Sequence, residues 1–276
     1  MKDLSNEIIT HVKNNKIEFL QFNKLKKYDN LIKHAYTIGL DRDFRTFKPD
    51  RSELSDEEYR NNLNNYKVLC EELNLNYLDL VKANQNHTDN VLSVNKVEKN
   101  KTIDTYEISD GLITNKKNII LATTNADCIL LLFFDPVKKV IANTHSGWKG
   151  TLQEISVKTV NKMINDYGCK PEDIIVCICP SIRKCHFEVG EDVKDMFFEK
   201  FNKKINTEKF IFKKENNNKW LIDTVIINKI ILKNIGIKKE NIEDCNICSI
   251  CNKELIHSYR VEGENYGLAT ALITLV

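Results

Sequence analysis

The sequence predicts an α/β fold of the α+β kind, with mixed β-sheets flanked by helices. Three observations carry that expectation. Apolar runs of strand length alternate with segments of helical period. Hairpin signals recur too often for a purely parallel sheet. No Gly/Ser- or Pro-rich linker and no internal repeat divides the chain.

The elements follow in order. Leu54-Ser55-Asp56-Glu57-Glu58 opens a helix with a capping box, Ser55 against Glu58. That helix runs to about Leu73 and carries Tyr66, Leu69, Cys70 and Leu73 on one face. Residues 76–83 read as a strand, and His87 falls in the turn before another strand at 91–94. Residues 118–124 are an apolar strand rich in β-branched side chains. Residues 128–134 and 140–144, joined across Asp135-Pro136, form a hairpin whose apolar continuity implies burial of both faces. From 152 to 167, Ile155, Val160, Met163 and Ile164 recur at helical spacing, and Gly168 closes the helix. Residues 174–179 form a buried strand and 191–201 a helix; Asp223 caps a further helix that reaches Gly236. The Lys/Asn-rich stretch 213–219 is a hairpin tip or surface loop, and 255–260 and 268–275 are strands.

Composition narrows the function. With 276 residues and 42% hydrophobic content the chain buries a full core, as one large domain or two small ones. Its 41 basic residues are balanced by 39 acidic ones, and without clustering the lysines form a solvated surface rather than a nucleic-acid footprint. No run approaches the ~18 apolar residues of a membrane span. Met1-Lys2-Asp3-Leu4-Ser5 has no signal-peptide character, so a cytoplasmic protein is expected. Nine cysteines, an odd number in a long chain, are read as reduced thiols, most of them in the core. Cys177, Cys179 and Cys185 around Pro180 are expected to line a buried strand and its turn. Cys245-Asn246-Ile247-Cys248-Ser249-Ile250-Cys251 begins like an iron–sulfur run. The fourth cysteine position holds Leu255, followed by Ile256 instead of proline, so that motif fails.

The chemistry gathers in a few short segments. Ala126-Asp127-Cys128 and Thr144-His145-Ser146-Gly147-Trp148-Lys149-Gly150 place a thiol and an imidazole at the two ends of one hairpin, where antiparallel neighbours fold back side by side. A second imidazole, His87 in Gln85-Asn86-His87-Thr88, completes a His/Cys/His set. A catalytic zinc uses three such ligands and leaves a fourth position for water or substrate. The same residues also fit a buried cysteine beside two hydrogen-bonded histidines, or a Cys128 nucleophile with His145 as its base. Asp110-Gly111 is equally a plain turn before a strand. Arg260 suits a two-pronged hold on an anion or a structural ion pair. Lys149, beside Trp148, suits an anion ahead of a helix N-terminus.

Seven segments in order carry a resemblance: Gln85-Asn86-His87, Asp110-Gly111-Leu112-Ile113-Thr114, Ala126-Asp127-Cys128, His145-Ser146-Gly147-Trp148-Lys149-Gly150, Cys179-Pro180-Ser181-Ile182, Phe187-Glu188-Val189-Gly190 and Ser258-Tyr259-Arg260. Together they resemble the signature of the YfiH/YlmD family, also called the laccase-domain or multicopper polyphenol oxidase family and now described as purine nucleoside phosphorylases. The match runs from about residue 30 to the C-terminus. It implies a single YfiH-like domain over 1–276, with residues 1–30 or so as an N-terminal extension. It further implies zinc on His87, Cys128 and His145, with phosphorolysis of adenosine, inosine and S-methyl-5'-thioadenosine and some adenosine deamination.

On that resemblance Cys128, Asp110 and Asp127 are the catalytic candidates, and Lys149 and Arg260 the candidates for holding phosphate. Asp127 serves equally well to orient a metal ligand. The partners implied are a purine nucleoside and phosphate, with no nucleic acid and no membrane. Bacterial members of the family also look like peptidoglycan-editing amidases that remove a wrongly incorporated amino acid from a cell-wall precursor. Copper is the alternative metal, but one cysteine and few histidines do not assemble the several centres of a multicopper oxidase. The chain departs from the family pattern at Cys179, where glycine is common, and at Lys149, Val261 and Leu268, where arginine is common. Each lost guanidinium removes a planar two-pronged anion holder, which lysine replaces only as a point charge.

Overall fold

In the central hairpin both faces are apolar, so each strand must be covered on both sides, and that requirement sets the layering. The computed structural model describes residues 2–47, 52–97, 107–214 and 218–276. In chain order the elements are β1 (Ile9–Val12), β2 (Glu18–Phe22), α1 (Asn23–Lys26), β3 (Ile32–Ile38), α2 (Asp56–Glu72), β4 (Leu80–Lys82), β5 (Val91–Ser93), β6 (Gly111–Thr114), β7 (Ile120–Asn125), β8 (Ile129–Asp135) and β9 (Val140–Ser146). They continue with α3 (Trp148–Leu152), α4 (Ile155–Tyr167), β10 (Ile175–Ile178), β11 (Glu188–Val189), α5 (Glu191–Phe201), β12 (Ile211–Lys213), β13 (Trp220–Ile222), α6 (Thr224–Asn234), β14 (Ile242–Asp244), α7 (Tyr259–Glu262) and β15 (Ala269–Leu275).

There are two six-stranded sheets, β1-β2-β3-β15-β7-β4 and β14-β10-β8-β9-β6-β5, and a separate small sheet, β11-β13-β12. The pairs β4/β7, β5/β6 and β10/β14 are parallel, whereas β8/β9 and β7/β15 are antiparallel, so the sheets are mixed. Along β8, Leu130, Leu132 and Phe134 enter the core between the large sheets, with Leu121, Ala271 and Ile273 of the first sheet. Ile129, Leu131 and Phe133 point the other way, onto Val160 and Met163 of α4 and Val225 and Leu232 of α6. The outer face of the first sheet, through Ala35, Ile120, Ala122 and Leu272, is covered by Tyr66, Leu69 and Cys70 of α2. Four layers result: helix, sheet, sheet, helix. The segment before residue 30 supplies β1 and β2, two strands of the first sheet.

A polar cluster centred on Asn143 sits between the sheets. Asn143 of β9 is fully buried; its Nδ2 donates to Leu121 O at 2.9 Å and Ala271 O at 2.8 Å, and its Oδ1 accepts from Thr123 Oγ1 at 2.5 Å. All of its neighbours in this bond set belong to the facing sheet.

Several expected boundaries hold. Ser55 Oγ accepts from Glu58 N while the Glu58 carboxylate accepts from Ser55 N, and α2 follows. Gly168 closes α4 at φ 67, and Asp223 caps α6 by accepting from Ile226 N. The 213–219 stretch joins the paired strands β12 and β13, although 215–217 lie outside the described residues.

Others shift. Residues 77–79 form a turn of 3₁₀-helix because Asn76 Oδ1 accepts from Leu78 N, leaving strand only at Leu80–Lys82. The 152–167 helix is broken between α3 and α4 by Glu154, at φ 56. Residues 255–260 are not a strand: the Glu262 carboxylate accepts from Ser258 N and holds His257 Nδ1, folding the chain into the turn that opens α7. Cys177 and Cys179 are buried as expected, but Cys185 is exposed. Among the described residues no helix is long and apolar enough to cross a membrane.

Candidate metal centre

The ends of β8 and β9 meet the loop after β4 at one end of the sandwich. Leu130 pairs with His145 and Ile129 with Ser146, so Cys128, one residue before β8, comes opposite Gly147. A Cβ on Gly147 would stand 2.7 Å from His87 Cδ2, closer than packed atoms tolerate, and 3.2 Å from Cys128 Sγ, a tight contact. Glycine leaves the room in which the two side chains meet. Cys128 Sγ lies 3.8 Å from His87 Nε2, and the His87 and His145 ring centroids are 4.9 Å apart, edge to face. One donor atom from each of the three residues falls within 4.8 Å of the others.

Asp110 organises this meeting. Its carboxylate is fully buried and accepts the backbone N–H groups of Asn86 (3.2 Å), His87 (3.0 Å) and Thr88 (2.7 Å), the Thr88 hydroxyl (2.7 Å) and His145 Nδ1 (2.7 Å). Three consecutive amides converging on one anion hold His87 in a left-handed backbone at φ 55, a conformation a non-glycine residue keeps only when its surroundings impose it. The bond to Nδ1 fixes the His145 ring and directs Nε2 to the other side, toward Cys128, the arrangement usual for a metal-bound histidine. Gln85 locks the same loop to β7: its Nε2 donates to Thr124 O and its Oε1 accepts from Thr124 N, both at 2.7 Å.

The electrostatics follow from these contacts. Burial raises the Cys128 thiol, but the His145 and His87 imidazoles outweigh it and pull it down to about 6. Burial likewise opposes a charge on His145, yet the Cys128 thiolate and the Asp110 carboxylate lift it to about 10. Asp110, for which burial is outweighed by its bonds to His145 and Thr88, is held below the usual carboxylate range. In metal-free protein the Cys128 thiolate is therefore present above pH ~6 and lost below it. We expect iodoacetamide to modify Cys128 with a rate that is half-maximal near pH 6, read by peptide mass, while buried Cys70, pushed up to about 12, stays unmodified. A Cys128 profile that rises only above pH 8 contradicts this geometry.

The three donors open on a cavity of about 740 Å³. Trp148, Phe187, Tyr259 and Tyr266 supply aromatic walls, and Arg45, Lys82 and Arg260 supply cationic groups. Arg260 Nη2 donates to Glu188 O at 3.3 Å, and the Arg45 guanidinium pairs with Asp43 and lies 5.1 Å from the Tyr266 ring centroid.

Of the sequence-predicted residues, His87, Cys128, His145, Asp110, Asp127 and Arg260 are brought to this end of the fold. Lys149 is not. It is exposed, does not line the cavity, and has its ammonium 5.6 Å from the Trp148 ring centroid, because the first turn of α3 carries it outward. Asp127, at φ 80, accepts from Ser249 Oγ at 2.5 Å and from Arg260 N at 2.8 Å. Its two oxygens are thus committed to anchoring the segments around Ser249 and Arg260. Asp110 is committed to the His87 loop in the same way. Both carboxylates position other groups. Sequence reasoning missed Arg45 and Lys82. A lysine inside the apolar strand Leu80-Val81-Lys82 was the available signal, since a buried cation needs a purpose.

Comparison with known proteins places the chain in a family. "Purine nucleoside phosphorylase LACC1" of Mus musculus is 34% identical over 173 residues, 61% of this chain but 39% of that protein, so the chain spans about two fifths of its length. "Purine nucleoside phosphorylase CA_C1699" of Clostridium acetobutylicum is 31% identical over 81% of this chain and 92% of its own. "Adenosine deaminase RL5", from an unknown prokaryotic organism, is 28% identical over 72% of this chain and 76% of its own. The crystal structure of the hypothetical protein YfiH from Bacillus licheniformis superposes with a TM-score of 0.80 at 24% identity, covering 96% of this chain and 99% of that one. The model of one family matches residues 51–276, and with it the chain belongs to the family described as multi-copper polyphenol oxidoreductase laccase.

Proposed function

We propose that the chain is a zinc-dependent purine nucleoside phosphorylase acting on adenosine, inosine and S-methyl-5'-thioadenosine, with adenosine deaminase activity. The observation that carries this reading is the convergence of His87, Cys128 and His145 on a cavity walled by aromatic rings and edged by cationic side chains. The relatives named as purine nucleoside phosphorylases and as an adenosine deaminase support it.

The residues fit a metal. Two imidazoles and a thiolate are the donor chemistry of zinc, His145 is already oriented by a carboxylate, and Gly147 leaves the donors room to approach. Bound zinc supplies Lewis-acid polarisation of an oxygen ligand. The chain's own residues do the rest. Aromatic faces at Trp148, Phe187, Tyr259 and Tyr266 suit a flat purine and exclude water from it. Arg260 and Arg45 present guanidinium forks to phosphate, and Lys82 adds a further charge. Arg45 also stands beside Leu268, one of the positions where the family favours arginine, since Phe44 N donates to Leu268 O and Leu268 N to Asp43 Oδ1. In phosphorolysis a phosphate oxygen bonds to the ribose anomeric carbon as the bond to the base nitrogen breaks, and the departing base takes up a proton. Holding phosphate against the sugar is therefore the protein's main task.

The test is purified protein with adenosine, with and without phosphate, analysed for adenine, ribose 1-phosphate and inosine. Phosphate-dependent adenine and ribose 1-phosphate are expected. No turnover of any of the three nucleosides defeats the proposal. Arg260→Ala is expected to raise the KM for phosphate by about tenfold or more, with a smaller change in the KM for nucleoside, as loss of one charge-assisted pair predicts. The thiolate–imidazolium character of the Cys128/His145 pair favours a second reading, a cysteine hydrolase of a cell-wall precursor. Release of L-serine from a muramyl-alanyl-serine substrate by metal-free protein distinguishes it.

A further inference from the structure

On the other side of the loops that frame the cavity, four more soft donors come together. β10 and β14 are parallel neighbours, Ile178 pairing with Asp244, so the chain leaves both strands at the same edge of the second sheet. The two exit segments stay in contact. Ser181 bridges to Cys248, Ser249 N donates to Ser181 O at 3.0 Å, and Arg183 clasps the Asp244 carboxylate with two bonds of 2.7 and 2.8 Å. This framework brings Cys185 and His186 from the first segment against Cys248 and Cys251 from the second. Neighbouring positions in one sheet supply what more than sixty residues of sequence separate.

The spacing of the donors is that of one small ion. Cys185 Sγ is 3.6 Å from Cys248 Sγ and 3.9 Å from Cys251 Sγ. His186 Nδ1 is 3.1 Å from Cys185 Sγ and 3.6 Å from the sulfurs of both Cys248 and Cys251. All four atoms lie within 4.8 Å of one another. A tetrahedron with metal–sulfur bonds of about 2.3 Å and a metal–nitrogen bond of about 2.0 Å has edges of about 3.8 and 3.5 Å. The observed edges scatter around those values. A four-iron cluster needs its cysteines much farther apart, whereas a disulfide needs two sulfurs at about 2.0 Å.

We propose that Cys185, His186, Cys248 and Cys251 form a second metal site, a closed Cys₃His zinc clip separate from the His87/Cys128/His145 centre. With all four positions taken by protein the ion has no place for substrate, so its role is structural. Binding replaces the three thiol protons, which leave to solvent, with one divalent cation. The clip pins two pieces of the cavity's frame. Cys185-His186 leads directly into Phe187 and Glu188, which line the cavity, and Cys248 and Cys251 flank Ser249, whose hydroxyl holds Asp127.

The experiment is metal analysis of freshly purified full-length protein, combined with cobalt substitution. Cys128→Ala serves as the background, so that the outcome does not depend on the catalytic centre. That variant is expected to retain one zinc per chain, and Cys128→Ala/Cys251→Ser none. Loaded with cobalt, the Cys128→Ala protein is expected to show the strong visible bands of tetrahedral cobalt with thiolate charge transfer, and the double variant to lose them. Cys251 is exposed, so serine there disturbs little packing, and the cobalt spectrum of Cys128→Ala keeps the test open even if the double variant folds poorly. The proposal is overturned if Cys128→Ala holds no zinc and binds cobalt only in the weak, six-coordinate manner. It is also overturned if mass mapping finds Cys251 in a disulfide with Cys185 or Cys248.

Discussion

Cys128→Ala is expected to abolish turnover of all three nucleosides while leaving the fold intact. The thiolate is one of three donors, and a two-imidazole remnant holds a borderline divalent ion far more weakly. If the ion supplies several kcal/mol of transition-state stabilisation, its loss lowers kcat/KM by on the order of 10³-fold. The fold survives because Cys128 lies ahead of β8 and is partly open to the cavity, so truncation opens no cavity in the core. Three measurements check this: kcat/KM with adenosine and phosphate, zinc per chain, and the thermal midpoint. One zinc equivalent should be lost relative to wild type, with a midpoint shift of a few degrees at most. A variant that keeps wild-type turnover would dismiss the three-donor centre as the engine of the reaction.

The second large effect belongs to a residue that is expected to touch no substrate. Asp110→Ala leaves the N–H groups of Asn86, His87 and Thr88 without their acceptor and removes the bond that orients His145. The three donors are only half-buried and water reaches them in part, so a stability loss at the low end of about 1–3 kcal/mol is expected from denaturant unfolding. Asp110→Asn separates charge from shape. It keeps one acceptor oxygen but weakens the hold on His145, and zinc affinity should fall about 10- to 100-fold. The pH dependence has a definite sign. The folded carboxyl lies below the usual range, so its stabilisation is complete above the unfolded value and is lost as pH falls through the folded one. Metal-free wild type should therefore lose stability more steeply than Asp110→Asn only in strong acid, as pH falls below the ordinary carboxyl value of 3.8. Parallel acid profiles for the two would show that the carboxylate charge does not matter.

What was legible in the sequence was what local chemistry dictates. The capping box at Ser55, the bounds of α5, the Asp223 cap and the left-handed stop at Gly168 all rest on bonds within a few residues. The doubly apolar hairpin was equally readable, because its run of Ile, Leu and Phe has no amphipathic alternative. Elements decided by distant partners were not. Residues 255–260 look like a strand until Glu262 and Asp127 claim their backbone N–H groups, and one of those partners lies 133 residues away. Lys149 sits in a family motif, but the direction in which α3 leaves β9 sends it outward. The His87/Cys128/His145 trio was found because the hairpin supplied two members. The Cys185/His186 and Cys248/Cys251 pairs stayed hidden because only the parallel pairing of β10 with β14 makes them neighbours.

The Asn143 amide has a bearing on more than sheet packing. Strands buried on both sides have no solvent-facing side to choose their offset, so the apolar parts of β8 and β9 could slide by one residue at little hydrophobic cost. A one-step slip would turn this amide toward α4, stranding its hydrogen-bonding groups among Val160 and Met163, and would swing the imidazole two residues further along out of reach of the sulfur. The Asn143 amide, held by Leu121, Ala271 and Thr123, thus helps to form the ratchet that keeps the chemical end of the hairpin in step.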